Sequence, residues 1–151
     1  MKITILCVGK IKEAYFRDAI AEYKKRLSAY TELVITEVGD EADSDTAVAI
    51  EGKRLLEKLP LKAFVIALAI EGKKYDSVGL SERLSELMVS GHSHLVFVIG
   101  GSSGLSDEVL RRADMKLSFS DMTFPHQLMR VILLEQIYRS FRIMRNEPYH
   151  K

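Results

Sequence analysis

The chain ends on Tyr149, His150 and Lys151, which together offer a stacking ring, a titratable nitrogen and a cation. These are the chemical types that an RNA-contacting surface uses. Arginines at three-residue steps precede them on one predicted helix: Arg139, Arg142 and Arg145. Such a row is usually a solvated helix face, so these residues by themselves leave both interpretations open.

A glycine-rich segment, Gly100-Gly101-Ser102-Ser103-Gly104, follows an apolar strand pattern. Glycines at the end of a strand let backbone amides approach a phosphate closely. The spacing is not that of a dinucleotide-binding fingerprint, however, and the chain has no G-x-x-x-x-G-K-[ST] phosphate loop. The segment is therefore compatible with a nucleotide site or with a tight turn alone.

Another polar segment, "SFSDMTFPHQ", places Thr123, Pro125 and His126 at the start of the last helix. Proline is common in the first turn of a helix. His126 is then either a polar residue at a helix end or a catalytic group. The chain has no H-E-x-x-H motif, no cysteine pair and no acidic cluster with ligand spacing, which predicts that there is no metal site.

The elements that must position these residues alternate between strands and helices. Short runs rich in β-branched residues predict five strands, at residues 3–8, 33–38, 63–70, 95–99 and 116–119. Helical periodicities separate the first four strands. This alternation predicts an α/β fold, with a mainly parallel sheet and helices on both faces. Such sheets bind ligands at the carboxyl ends of their strands, where "AIEGKKYDS" and the two segments described above lie.

Composition narrows the class of protein. A chain of 151 residues with 47% hydrophobic content suits one compact domain over residues 1–151. The net charge of +1 is no general signature of nucleic-acid binding, although residues 37–57 hold seven acids against Lys53 and Arg54. Cys7 lies in an apolar run and indicates a buried thiol in a reducing compartment. With no membrane-length apolar run and no signal-peptide pattern, we expect a cytoplasmic protein.

The last predicted helix runs from Gln127 to about Met144 and is apolar over more than one stripe. A helix that is apolar over so wide an arc needs burial on more than one side. In a domain of this size a second subunit is a natural cover, so we predict a homodimer packed partly through this helix. The alternative is that the sheet alone buries it.

Three stretches, "MKITILCVGKIKE", "IGGSSGLSDEVL" and "LSFSDMTFPHQLMRVILLEQIYRSFRIMRNEPYHK", together closely resemble the RlmH family. Its members are bacterial SPOUT methyltransferases that act on pseudouridine in large-subunit ribosomal RNA. The resemblance runs along essentially the whole chain. It implies a deep trefoil knot made by the C-terminal segment, S-adenosyl-L-methionine as cofactor, and a homodimer that brings a second chain close to each site.

The resemblance also implies the methyl acceptor, N3 of a pseudouridine in the 23S rRNA of the assembled 70S ribosome. The family's cofactor-contacting positions match these residues: Leu68, Gly100, Phe119, Ser120, Asp121, Met122, Thr123 and Phe124. Gly101 joins them because its missing side chain permits close backbone approach. Adenine needs apolar walls and a few backbone hydrogen bonds, which residues of these types can provide.

The resemblance and the chemistry of the transfer together single out six acceptor-side residues: His126, Arg130, Arg142, Tyr149, His150 and Lys151. The proton on N3 must leave during the transfer, and either histidine could accept it. An arginine or the lysine could stabilise the developing anion. The last three residues are expected to complete a site whose cofactor is held mainly by the other subunit.

Two other classes of function remain open from the sequence. One is an RNA- or ribosome-binding module that has the knot without the reaction. The other is a nucleotide-binding doubly wound domain that uses residues 100–104. Cofactor choice discriminates between them, since the first need not bind S-adenosyl-L-methionine and the second should prefer a phosphate-bearing nucleotide.

Overall fold

The computed structural model describes residues 1–151. In chain order its elements are β1 (Lys2–Val8), α1 (Ala14–Leu27), β2 (Glu32–Val38), α2 (Ala47–Lys58), β3 (Phe64–Lys74), α3 (Ser77–Val89), β4 (His94–Ile99), α4 (Asp107–Arg112), β5 (Met115–Ser118) and α5 (His126–Met144). The five strands form one parallel sheet in the order β2-β1-β4-β3-β5. The predicted α/β class and parallel sheet are confirmed.

The sheet is buried because helices cover both of its faces. At its centre Ile5 of β1 lies level with Ile35 of β2 and Phe97 of β4, and side chains of this kind pack well across neighbouring strands. One part of the core lies under α1, α3 and α5, and a second part lies under α2 and α4. This burial on both faces explains why the central strands are apolar without alternation.

Strand β3 is longer than predicted, and its extension is irregular. It continues to Lys74, but it leaves its pairing with β5 after Leu68 and resumes it at Lys73. Residues 69–72 therefore bulge out of the ladder. Gly72 allows the strand to return, because a Cβ there would lie 2.7 Å from the carbonyl carbon of Lys116.

Helix α4 is missing from the sequence prediction, although its end signals are present. The Ser106 side chain accepts a hydrogen bond from Val109 N at 3.3 Å, which caps the helix. Acidic residues occupy the first turn and arginines the last. With six residues the helix is too short to show an apolar period, which is the main signal for a helix in a sequence.

Helix α5 begins at His126, one residue before its predicted start, and ends at Met144. It lies between α1 and α3 and buries a continuous apolar face against the sheet. The sheet and its two neighbours thus cover much of the wide apolar arc. Leu128, Val131 and Ile132 keep partial exposure near the N-terminal end of the helix.

Cys7 is fully buried in β1, as the sequence predicted. Burial raises the pKa of its thiol to about 12, although the nearby Arg130 guanidinium acts in the opposite direction. The thiol is therefore neutral and unreactive near pH 7. No helix in the chain combines the length and the apolar character that crossing a membrane requires.

Candidate active site

A cavity of about 850 Å³ opens at the carboxyl ends of β3, β4 and β5. Three stretches supply most of its walls: residues 68–71, 99–105 and 117–126. Within these stretches every residue except Asp121 lines the cavity. Half of the 22 lining residues are hydrophobic. A volume and lining of this kind suit a small ligand or cofactor, and the carboxyl edge is where open parallel sheets bind one.

The glycine-rich segment makes a tight turn on one wall of this cavity. Gly104 has a φ of +84° and its N–H donates to the carbonyl of Gly101 at 3.0 Å. A Cβ on Gly100 would lie 2.7 Å from the carbonyl carbon and oxygen of Gly104. Any side chain at position 100 would therefore force the turn open.

The segment between β5 and α5 makes a second wall. The hydroxyl of Ser118 donates to Ser120 O at 3.1 Å, and Ser120 Oγ accepts from Met122 N at 3.0 Å. These local bonds curl the chain at the end of the strand. Phe119, Ser120, Met122, Thr123 and Phe124 all line the cavity as a result.

Asp121 is the exception among the predicted cofactor residues. Its carboxylate pairs with Lys74 Nζ at 2.5 Å, and both side chains are well exposed. The pair links the segment after β5 to the end of β3. Asp121 therefore meets β3 rather than the cavity, whereas Leu68, Gly100 and Gly101 line the cavity beside the other residues of the set.

A third wall comes from the β3 bulge, at the start of the segment "AIEGKKYDS", which the sequence predicts to lie at the ligand-binding edge but without any of these residues as a named site residue. Ala69, Ile70 and Glu71 line the cavity there, and Glu71 is the one acidic residue of the lining. The bulge cannot be recognised from an apolar strand pattern, because the residues on either side of it remain strand-like. Gly72 was the available signal, since a glycine inside a strand often marks a bulge.

His126 opens α5 and also lines the cavity. Its Nε2 lies 3.9 Å from the position that a Cβ of Gly9 would occupy, so the ring is close to the end of β1. Gly9 has a φ of +89° there, and its N–H donates to Val38 O at 2.8 Å. The structure thus places His126 among the candidate cofactor residues.

Arg130 lies one helical turn further along α5 and is 1% exposed. Its Nη1 donates to Glu37 Oε2 at 2.6 Å, and its Nη2 donates to Gly9 O at 3.1 Å. It does not line the cavity. The guanidinium instead ties α5 to the ends of β1 and β2 beneath His126.

The C-terminal tail folds back on α5. Asn146 adopts a φ of +53°, which reverses the chain, and Arg142 donates to Glu147 Oε2 and Pro148 O, both at 2.9 Å. The Tyr149 hydroxyl donates to Glu135 Oε1 at 3.2 Å. Asn tolerates this left-handed conformation better than most residues, which makes it a suitable helix terminator.

The same docking fixes the last aromatic ring and the last histidine. The Arg139 guanidinium lies 4.7 Å from the centre of the Tyr149 ring, and its Nη1 lies 3.1 Å from His150 Nδ1. Burial, followed by the carboxylate of Glu135, raises the pKa of Tyr149 above its usual value. The Tyr149 hydroxyl is therefore neutral at physiological pH and can donate its hydrogen bond to Glu135.

The candidate residues fall into two separate groups within one chain. His126 lies at the cavity, whereas Arg142, Tyr149, His150 and Lys151 do not line it. Tyr149 docks at Glu135, nine residues along α5 from His126, which corresponds to about 14 Å of helix. One chain alone does not bring its own tail to its own cavity.

Glu71 and His126 are the two acidic, histidine or cysteine residues in the lining of the cavity. No three His, Cys, Asp or Glu side chains are grouped so that they could hold a metal ion. The side chains that line the cavity are apolar, hydroxyl-bearing or amphipathic, with one carboxylate and one imidazole. This composition suits an organic ligand that is recognised by shape and backbone hydrogen bonds.

Comparison with a solved structure agrees with this fold. It is a probable methylase family protein from Haemophilus influenzae Rd KW20, with a TM-score of 0.61 over 99% of this chain and 70% of that chain. The identity is 12%, so the likeness bears on the fold alone.

Residues 1–150 match the family described as "Predicted SPOUT methyltransferase". Ribosomal RNA large subunit methyltransferase H of Carboxydothermus hydrogenoformans is 55% identical, and its counterpart in Bifidobacterium animalis subsp. lactis is 58% identical. Both alignments cover 100% of this chain and of the relative. An enzyme of this kind needs a methyl donor. A match of this extent shows that the chain belongs to the SPOUT methyltransferase family and, within it, to the ribosomal RNA large subunit methyltransferases H.

Proposed function

We propose that this protein transfers a methyl group from S-adenosyl-L-methionine to N3 of a pseudouridine in the 23S rRNA of the assembled 70S ribosome. The observation that carries the proposal is the cavity at the carboxyl edge, lined by all of the residues that match the family's cofactor positions except Asp121. The full-length relatives support the RNA as the class of acceptor.

The residues of the cavity fit the proposed donor. Leu68, Phe119 and Phe124 supply apolar walls for an adenine ring, and the turn that begins at Gly100 supplies closely approachable backbone. The cavity of about 850 Å³ is of the size that such a ligand occupies. When bound, S-adenosyl-L-methionine would supply a sulfonium-activated methyl group. The chain's own contribution is then mainly alignment, which in well-oriented reactions is worth effective molarities of about 10⁵ M or more.

His126 is the candidate within the cavity for receiving the N3 proton. An imidazole is the side chain that most often serves as a general base in enzymes. His150 is the second candidate, and it stands beside Arg139 at the tail. In the proposal Tyr149 stacks on the acceptor base, and Lys151 stabilises the anion that develops on it.

Two predicted catalytic arginines are better placed for positioning. Arg142 is held by Glu147, by Pro148 and by the Tyr30 hydroxyl, so it fixes the tail. Arg130 is buried below His126. We therefore assign Arg142 to orienting the acceptor-side group and Arg130 to supporting the N-terminal turn of α5.

We further propose that the enzyme is a homodimer with a composite site. The tail of one subunit would complete the cavity of the other, because the tail docks about 14 Å along α5 from the cavity of its own chain. Leu128, Val131 and Ile132 remain partly exposed on α5 and offer an apolar surface for the second subunit.

The proposal includes the trefoil knot and a single SPOUT domain over residues 1–151. After β5, at one edge of the sheet, residues 119–125 pass along the cavity beside the turn of residues 100–104. The chain then enters α5 next to Gly9 at the end of β1, on the far side of β3 and β4. A path of this kind across the carboxyl edge is what threading of the C-terminal segment requires.

The near-neutral charge fits an acceptor that is recognised as part of a large assembly. A net charge of +1 gives little sequence-independent attraction to phosphate, so recognition would depend on a composite ribosomal surface. Such an acceptor also implies that the enzyme works in the cytoplasm, where ribosomes are assembled.

The test is incubation of the purified protein with tritiated S-adenosyl-L-methionine and ribosomes from a strain that lacks this gene. We expect label at one pseudouridine of 23S rRNA on 70S ribosomes, and none on free subunits. The matched control is Gly100→Ala, which should open the turn and abolish labelling. Absence of label despite donor binding would refute the proposed acceptor, and absence of both would favour a non-catalytic RNA-binding module.

A further inference from the structure

Glu51 of α2 carries a buried carboxylate that the proposed reaction does not explain. The residue is 5% exposed. Its Oε2 accepts a hydrogen bond from Glu41 N at 3.0 Å, whereas its Oε1 is buried and has no hydrogen-bond partner. Burying a carboxylate oxygen without a hydrogen-bond donor costs free energy of folding, so we expect this oxygen to have a function.

The orphaned oxygen is aimed at the glycine-rich turn of the cavity wall. A Cβ built on Gly101 would lie 3.2 Å from Glu51 Oε1 and 3.4 Å from Oε2. The neighbouring Gly52 packs against the start of α4, just beyond the turn, since a Cβ there would lie 2.3 Å from Ser106 Oγ. Helix α2 is therefore packed directly against the outer side of the segment that lines the cavity.

The turn has hydrogen-bond donors to offer this oxygen. The backbone N–H groups of Ser102 and Ser103 donate to no backbone carbonyl and to no side chain, whereas Gly101 is paired with Gly104 across the turn. An acceptor without a donor thus lies against a turn whose next two residues have donors without a protein acceptor. A small shift of the turn toward α2 would satisfy both.

The acidic connection between β2 and α2, residues 39–46, holds the Glu51 carboxylate and the turn in place. Asp43 accepts a hydrogen bond from the Ser102 hydroxyl at 3.1 Å, and Arg54 donates to Gly39 O at 2.9 Å and also pairs with Glu41. The connection is therefore tied both to α2 and to the glycine-rich turn. It also supplies the N–H that fixes Glu51 Oε2.

We propose that Glu51 is a positioning residue for the methyl donor. Its Oε1 accepts the backbone N–H of Ser102 or Ser103 in the donor-bound enzyme, and so holds the turn in the shape that binds the donor. This inference rests on the proposed function, because it assigns a role at the same cavity. Glu51 touches neither donor nor acceptor and acts only through the turn.

The test is isothermal titration of S-adenosyl-L-methionine into the wild type, Glu51→Gln and the control Glu57→Gln, which changes an exposed residue of the same helix. A carboxamide has one acceptor oxygen, so its NH₂ group faces either Glu41 N or the turn. We expect the donor Kd of Glu51→Gln to rise roughly tenfold or more, with stoichiometry unchanged. Glu57→Gln should bind as the wild type does.

Steady-state kinetics of methyl transfer to ribosomes give a second measurement, in which a role of Glu51 in donor binding differs from a role in folding alone. The donor KM of Glu51→Gln should rise with its Kd, while kcat at saturating donor and the ribosome KM stay within about twofold of the wild type. An unchanged donor Kd of Glu51→Gln overturns the inference. A lower stoichiometry with the wild-type Kd also overturns it, because that result would mean only that a smaller fraction of the variant is folded. Failure of the wild type to bind the donor would instead refute the proposed function.

Discussion

Replacing Arg130 by methionine is expected to weaken the fold rather than to remove a reacting group. The guanidinium is 1% exposed and makes one hydrogen bond to the Glu37 carboxylate and one to Gly9 O. Hydrogen bonds that involve a charged group contribute about 1.5–3 kcal/mol each. The Glu37 side chain is 33% exposed and can be hydrated when its partner is removed. We therefore expect the free energy of unfolding to fall by about 3 kcal/mol, the lower end of the range for two such bonds.

A loss of this size is measurable by urea unfolding, because a domain is stable by roughly 5–15 kcal/mol in total. It should also lower Tm by about 6–12 °C. A double-mutant cycle with Glu37→Gln should show a coupling energy of about 1 kcal/mol or more, since the two side chains are in direct contact. Arg26→Met removes an exposed ion pair with Glu22 and serves as the control, with little change expected.

Donor binding by the folded fraction of Arg130→Met should be largely retained, because Arg130 does not line the cavity. The reasoning is refuted if Arg130→Met unfolds within about 0.5 kcal/mol of the wild type and yet transfers no methyl group. Such a result would place the guanidinium in the reaction, as the sequence pattern alone had allowed.

Three further outcomes follow from the structure. Gly100→Ala should bind S-adenosyl-L-methionine at least about tenfold more weakly in calorimetry, because its Cβ would lie 2.7 Å from Gly104 backbone atoms; wild-type affinity would contradict the turn geometry. Asp121→Asn should change donor Kd less than about twofold, because the carboxylate pairs with Lys74 outside the cavity; a large loss would show direct contact. The Cys7 thiol has a pKa raised by burial to about 12, whereas an unfolded thiol ionises near its ordinary value of about 8.5. Between about pH 9 and 12 the folded state thus keeps a proton that the unfolded state loses. The free energy of unfolding therefore falls as pH rises, and this group contributes at most about 1.4 kcal/mol per pH unit to the decline. Urea unfolding of Cys7→Ala should show a shallower decline over that range, and an identical decline would contradict the burial of the thiol.

The sequence predicted those parts of the fold that depend on local pattern. The β-branched run at residues 3–8 and the apolar run at 95–99 became neighbouring strands, because both are buried on two faces of the sheet. Pro125 and His126 mark the start of α5 through the preference of proline for a helix N-terminus. The bulge at residues 69–72 escaped prediction because it depends on the close approach of Gly72 to β5, which is a contact between distant parts of the chain.

The candidate site shows the same division between local and long-range information. Motif residues such as Leu68, Gly100 and Phe124 line one cavity, because their segments end neighbouring strands. The burial of Arg130 was not predictable from helical spacing, since it depends on Glu37 of β2 and on Gly9, which directly follows β1. The role of Glu51 is equally invisible in the sequence, where it is one acid among seven in residues 37–57.

The most direct test of the composite site is complementation between two inactive subunits. One variant carries Gly100→Ala in the cavity, and the other lacks Tyr149, His150 and Lys151. If the tail of one subunit completes the cavity of its partner, a mixed population assembled from equal amounts should recover about a quarter of wild-type labelling of 70S ribosomes, because half of the dimers are mixed and each has one intact site. If the tail serves the cavity of its own chain, the mixture should remain as inactive as either variant alone.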